Sequence, residues 1–168
     1  PNKPKKVAPI PTAKLGEYVL AGKPNKINFW YTQTCGIVGQ WPNANKVIEA
    51  VKSVPSFVVA ESVMTPTARY ADILLPATTV FEYDSVMAGA RNHYIQLIEK
   101  AVEPQGEAKP DYWIMGQLAK HMGFGEAFNI PVEQMIKNVL KPSGITYEQI
   151  KKGPVLSLIH ISEPTRPY

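Results

Sequence analysis

Five residues, Phe57-Val58-Val59-Ala60-Glu61, constrain the fold of this chain more than any others. The apolar run is entered from Pro55-Ser56 and left at an acid, with no polar alternation inside it, which is the pattern of a strand buried on both faces in a parallel sheet. Next comes Thr65-Pro66. A Thr before Pro suits a helix N-cap with Pro in the first turn, so Thr67–Tyr70 is expected to form a single helical turn. Asp72 precedes Ile73-Leu74-Leu75, which is expected to be a second short buried strand that Pro76 ends. Strand, loop, turn and strand in this order is how an open α/β sheet presents loops at the carboxyl ends of its strands, where ligands bind.

The flanking sequence extends the same unit. Gly16–Ala21 reads as a short helix and Lys26–Thr32 as a strand, followed by the glycine-bearing loop Cys35-Gly36-Ile37-Val38-Gly39. Asn43–Ser53 reads as a helix with Val47, Ile48 and Val51 on one face and Lys46, Glu49 and Lys52 on the other. With Phe57–Ala60 it makes a βαβ unit, for which a right-handed crossover is the rule. Beyond Glu82, Tyr83–Arg91 shows no regular period and Asn92–Ile98 is a candidate strand. Pro104-Gln105-Gly106 marks a turn. Ile114, Met115, Leu118 and Met122 recur at helical spacing from Asp111 onward, with Gly123 placed to end the helix in the left-handed conformation. Helices are expected at Val132–Leu140 and Thr146–Lys151, separated by Lys141-Pro142-Ser143-Gly144.

Composition removes several classes of function. With 168 residues, 45% hydrophobic and 19% charged, the chain has the make-up of an ordinary globular fold. No apolar run is long enough to cross a bilayer. The net charge of +4 owes much to the cluster Lys3, Lys5, Lys6 and Lys14 and to scattered lysines such as Lys23, Lys26 and Lys46, without the aromatic-interleaved basic stripe that nucleic-acid binding wants. One cysteine excludes an internal disulfide, and no Cys and His pattern has metal-ligand spacing. A glycine-rich phosphate loop is also missing, which argues against an unrelated nucleotide-binding α/β module.

Read together, Met64-Thr65-Pro66-Thr67-Ala68, Ala71-Asp72, Ile73-Leu74-Leu75-Pro76 and Glu82 resemble the catalytic subunits of the molybdopterin oxidoreductases. That group includes dimethyl sulfoxide reductase, formate dehydrogenase and periplasmic nitrate reductase. Further collinear pieces share the resemblance: Gly22-Lys23-Pro24, Gln40-Trp41-Pro42-Asn43-Ala44-Asn45-Lys46, Lys100-Ala101-Val102-Glu103-Pro104, Glu107-Ala108-Lys109-Pro110-Asp111 and Gly144-Ile145-Thr146. It covers roughly residues 16–155. The fold it implies is α/β, a Rossmann-like open sheet with flanking helices that forms part of one dinucleotide-binding-like domain in a larger four-domain enzyme. The cofactor it implies is bis-molybdopterin guanine dinucleotide carrying molybdenum, with any iron–sulfur cluster outside this segment.

By the same resemblance, Ala60 and Glu61 fall where relatives receive the nucleotide, Asp111 where they make a second polar contact, and Gln40 where the loop before the first helix often touches the cofactor. A carboxylate at a strand end accepts hydrogen bonds from ribose hydroxyls or the guanine edge. No catalytic residue and no metal ligand is expected within the chain, because the family's metal ligand lies in a segment N-terminal to it. One departure stands out: relatives often carry Gly-Asn-Pro or Gly-Asp-Pro after the first strand, whereas this chain has Cys35-Gly36-Ile37. Gly36 offers backbone contacts alone, so the guanosine grip is expected either to be weaker or to be supplied by Thr34 or Gln33.

Other conspicuous residues have plainer readings. Asp72 is expected to cap or pair locally. Glu82 is expected to be solvated or paired with Arg69 or Arg91, and Cys35 to be a small loop residue. His93 is read as a strand residue, and His121 as a helix C-terminal residue favoured by the macrodipole. Trp30, Trp41 and Trp113 are read as core.

Residues 1–15 read as a linker or the remnant of a preceding segment. Residues 156–168 have neither a helical nor a strand period and match the translation of a transposon-end sequencing adapter, so they are expected not to be native; His160 falls there. The activity implied is that of a molybdenum-dependent reductase of anaerobic respiration, moving an oxygen atom and two electrons, of which this fragment alone would be inactive. Its implied partners are the rest of its own catalytic subunit, an iron–sulfur electron-transfer subunit and a membrane anchor, in the periplasm or at the membrane. The competing reading is a cofactor-free structural relative of the same fold.

Overall fold

A computed structural model describes residues 9–88 and 93–156. The chain divides into two compact units, residues 1–77 and 78–168. The expected tail lies outside the described residues from 157 onward; Val155–Leu156 forms a short strand.

In the first unit, helix α1 (Leu15–Leu20) leads to strand β1 (Trp30–Gln33), the one-turn helix α2 (Ile37–Gln40), helix α3 (Ala44–Ser53), strand β2 (Phe57–Glu61) and strand β3 (Ile73–Pro76). The three strands form a parallel sheet in the order β1-β2-β3, with Trp30 opposite Phe57 and Val58 opposite Ile73. The central strand is buried from Phe57 to Ala60, as its unbroken apolar run requires. Phe57 and Val59 pack with Val47 and Val51 of α3, Ile37 and Val38 of α2 and Ala68. Trp30 meets the Phe57 ring edge-on, 5.6 Å between centroids.

Helix α3 buries two sides. Val47 and Val51 join the sheet cluster, while Ala50 packs with Leu15 and Val19 of α1 and with Val54. Asn43 caps it, its side-chain oxygen accepting the Lys46 N–H at 3.4 Å. Gly16 lets α1 and α3 approach closely: a Cβ there would lie 2.8 Å from the Lys46 carbonyl carbon.

Several expectations need correction here. Strand β1 starts at Trp30 rather than Lys26, and the loop expected after it contains α2. The third strand is not buried: Ile73 is 52% exposed, and Pro76 is the last residue of the strand instead of the residue beyond it. Among the described residues β3 pairs with β2 alone, which makes it an edge, where Pro is tolerated. An apolar triplet looks the same at an edge and in the middle of a sheet, so position in the sheet, not composition, decided its burial.

The second unit is antiparallel. Strands β4 (Ser85–Ala88), β5 (Tyr94–Ile98) and β6 (Val155–Leu156) pair in the order β4-β5-β6. β4 lies within the passage expected to be irregular, and His93 precedes β5 instead of lying in it. Helices α4 (Asp111–His121), α5 (Val132–Leu140) and α6 (Tyr147–Lys151) follow. Ile95 of β5 packs with Ile136 and Leu140 of α5 and Ile150 of α6.

Helix ends carry much of this unit's definition. Gly123 (φ +86°) ends α4 in a Schellman motif: its N–H donates to Lys120 C=O at 3.1 Å and the Phe124 N–H to Ala119 C=O at 3.0 Å. Thr146 and Gln149 form a full capping box on α6. Helix α4 buries Ile114 and Ala119, whereas Leu118, Met122 and Trp113 are exposed, so the tryptophan expected in the core is at the surface. The helical period was right but the buried stripe was rotated toward the small Ala119.

Candidate functional site

The carboxyl ends of the parallel strands gather the loops that the sequence singled out. After β1 the backbone turns at Thr34, whose φ of +51° is unusual for a residue with a branched side chain. The Thr34 N–H donates to Ala60 C=O at 3.4 Å, and on the other side of β2 the Ala77 N–H donates to Glu61 C=O at 3.1 Å. The ends of β1, β2 and β3 are thereby tied at one level. Tyr31 donates its hydroxyl to Gln33 Oε1 at 2.9 Å, fixing the last side chain of β1.

Glu61 is the acid at the end of the central strand. It is half-buried, and its Oε1 accepts the Ser62 N–H at 3.1 Å. A carboxylate has about four acceptor positions, so one backbone donor leaves capacity for hydroxyl or guanine N–H groups. Ala60 is buried, and its carbonyl receives Thr34, so its contribution to a site is the placing of the backbone. Gln40 closes α2 and is exposed; a Cβ on Gly36 would make ordinary contact, 3.5 Å, with the Gln40 side chain. Gly36 itself has a φ of −78°, a conformation open to any residue. These three expected residues lie in the first unit, whereas Asp111 is the first residue of α4 in the second, half-buried, with its carboxylate at the favourable end of the helix dipole.

Two residues had a larger part than the sequence reading gave them. Thr67 is fully buried, and its Oγ1 accepts the Val38 N–H at 3.1 Å, across 29 positions of sequence. Nothing local announces such a contact. Glu82, expected to be solvated or ion-paired, is instead buried and locked by backbone: Oε2 accepts the Thr79 N–H at 2.5 Å and the Thr79 hydroxyl at 2.9 Å, and Oε1 accepts the Gln105 N–H at 3.2 Å. These bonds, led by the Thr79 N–H, hold its carboxyl below the usual glutamate range against the opposing effect of burial. The Thr-x-x-Glu spacing of Thr79 and Glu82 was a legible signal for it. Asp72 is structural, but its partner is not local: Oδ2 accepts the Phe57 N–H at 2.7 Å across 15 positions, and the Asp72 N–H donates to Phe57 C=O at 2.9 Å, tying the starts of β2 and β3 together.

Among the described residues no group of three or more His, Cys, Asp or Glu is arranged to hold a metal ion. A shallow groove between α5 and α6, bordered by Lys137, Lys141 and Tyr147, contains none of the expected contacts.

Comparison with known proteins gives these residues a context. A family model described as molybdopterin oxidoreductase matches residues 5–121. The chain is 42% identical over 130 residues to the probable oxidoreductase YyaE of Bacillus subtilis, covering 74% of this chain and 20% of that protein. It is 35% identical over 130 residues to the alpha subunit of a formate dehydrogenase of Methanocaldococcus jannaschii, covering 74% and 19%. With the dimethyl sulfoxide/trimethylamine N-oxide reductase of Rhodobacter capsulatus the identity is 37% over 93 residues, covering 54% and 11%. Among solved structures, acetylene hydratase from Pelobacter acetylenicus matches with a TM-score of 0.73 at 25% identity, over 85% of this chain and 20% of that one. The chain thus spans about a fifth or less of the length of these relatives.

Proposed function

This chain belongs to the molybdopterin oxidoreductase family, and from that premise we propose that it is the part of a molybdenum-dependent catalytic subunit that grips a guanosine end of bis-molybdopterin guanine dinucleotide. The observation that carries this reading is Glu61: a half-buried carboxylate at the carboxyl end of the central parallel strand, with Thr34 and Ala77 fixing the backbone on either side. Its chemistry fits a nucleoside, whose ribose hydroxyls and guanine N–H groups are donors in want of an anionic acceptor. Gln40 offers a further amide from α2 of the same unit. When bound, the molybdenum group supplies two-electron oxygen-atom transfer. This chain's own residues bind and orient: they fix one tail of the cofactor and leave the reacting atoms to other segments.

In the intact enzyme we place this segment in an anaerobic respiratory reductase of the periplasm or membrane surface, working with an iron–sulfur subunit and a membrane anchor. The support is the resemblance of Met64–Asp72 to the dimethyl sulfoxide reductase branch. A cofactor-free scaffold of the same fold is favoured by one observation, the missing side chain at Gly36, and metal analysis of the whole subunit separates the two: about one molybdenum per chain supports the enzyme and none the scaffold.

The direct test is titration of the isotope-labelled chain with GDP. Amide shifts centred on Thr34, Gly36 and Ser62, weakened at least fivefold in affinity by Glu61→Gln, are expected. Unchanged spectra at millimolar GDP, or binding indifferent to Glu61→Gln, would overturn the assignment.

A further inference from the structure

Helix α2 begins without a cap of its own. Its N-cap residue is Gly36, which has no side chain to accept the N–H of Val38, the second residue of the helix. That acceptor comes instead from Thr67, in the turn beyond β2, whose buried hydroxyl oxygen takes the Val38 N–H at 3.1 Å. Thr67 is itself held. Thr65 Oγ1 accepts the Ala68 N–H at 3.1 Å, Thr67 C=O accepts the Tyr70 N–H at 3.1 Å, and Ala68 is packed in the same cluster as Ile37 and Val38.

We propose that Thr67 is a positioning residue for the nucleotide grip, a long-range cap that fixes the Cys35-Gly36 backbone and Gln40 relative to the Glu61 loop. This rests on the assignment of the strand ends to guanosine binding. The physical reasoning is one of preorganisation. The loop after β1 carries its contacts on backbone and on a four-residue helix too short to hold itself in place. The carboxylate belongs to Glu61, the last residue of β2, and the loop leading from it carries Thr67. A buried hydrogen bond between them removes the freedom of one loop relative to the other before ligand arrives, so less ordering is left to oppose binding. The bond is also hard to replace, because water does not reach a fully buried Thr67, and losing the acceptor leaves the Val38 N–H without a partner in an apolar cluster.

The experiment compares the unchanged chain with Thr67→Val, which keeps the shape and removes the acceptor, and Thr67→Ser, which keeps the acceptor. Two quantities are read on each: hydrogen exchange at the Val38 amide and affinity for GDP. Thr67→Val should lose at least tenfold protection at Val38 and at least fivefold in GDP affinity, with the sheet amides of β2 still protected, while Thr67→Ser should stay within about twofold of the unchanged chain in both. If Thr67→Val loses protection at Val38 but binds GDP as before, the hydroxyl is a structural cap only and the positioning role is wrong. If protection at Val38 is unaffected, the cap itself is wrong. Failure of the unchanged chain to bind GDP overturns the guanosine assignment, and the positioning role with it, while the exchange measurement still decides the cap.

Discussion

The two units bury similar side chains by different means. In the first, the strands are parallel, each pairing spans an intervening helix or turn, and the central strand is buried over four successive residues. In the second, the strands are antiparallel, and definition comes largely from local devices: a Schellman end on α4, a capping box on α6 and the Thr79–Glu82 lock. A parallel sheet cannot be closed by a tight turn, so its loops are long and collect at one end. The residues proposed to grip the nucleotide at Gln40, Ala60 and Glu61 are there. Units built from local capping put their polar groups into holding backbone, which leaves fewer of them facing a ligand.

The sharpest way to break this comparison is at the centre of the parallel sheet. Phe57→Ala removes a ring that is 1% exposed, and a loss of about 3–5 kcal/mol is expected by denaturant unfolding. A loss under about 1 kcal/mol would mean that β2 does not carry the first unit. Gly16→Ala forces a methyl against the Lys46 backbone of α3 and is expected to cost about 1–3 kcal/mol, read as a lowered melting temperature. A neutral result would show that α1 can shift without consequence. In the second unit, Thr146→Ala removes the side-chain acceptor of the Gln149 N–H, one half of the capping box, and should cost about 1 kcal/mol, with faster exchange at α6 amides and no change at α3.

The Glu82 lock is tested by pH. Its folded pKa is depressed, so its contribution is fully present above the ordinary glutamate pKa and is lost as pH falls through the lower folded value. Glu82→Gln should therefore be less stable than the unchanged chain near neutrality, the gap narrowing in acid below about pH 4. A gap independent of pH would assign the effect to packing instead of charge. Smallest of all should be Glu133→Gln, which breaks an exposed pair with Lys137 at 2.6 Å; pairs of this kind contribute little in water, and no resolvable change in melting temperature is expected.

Much of the fold was legible because its signals are short-range. Asn43, Gly123 and Thr146 announce helix ends by side chain or by tolerance of positive φ, and the uninterrupted Phe57–Ala60 run announces a strand buried on both faces. The sequence also identified Glu61 as a strand-end acid, whereas Asp72, expected to pair locally, reaches Phe57 across 15 positions. What it did not show was which apolar residues meet water. Ile73 and Trp113 carry the same apolar surface as residues in the core, and only the edge position of β3 and the rotation of α4 left them exposed. Nor did it show Thr67 reaching Val38, or Gln105 closing on Glu82 across 23 positions. Periodicity and capping depend on neighbours within about a turn of chain, so sequence alone determined the elements and their ends. Burial and long-range hydrogen bonds depend on which surfaces meet once those elements pack, and that was decided only in three dimensions.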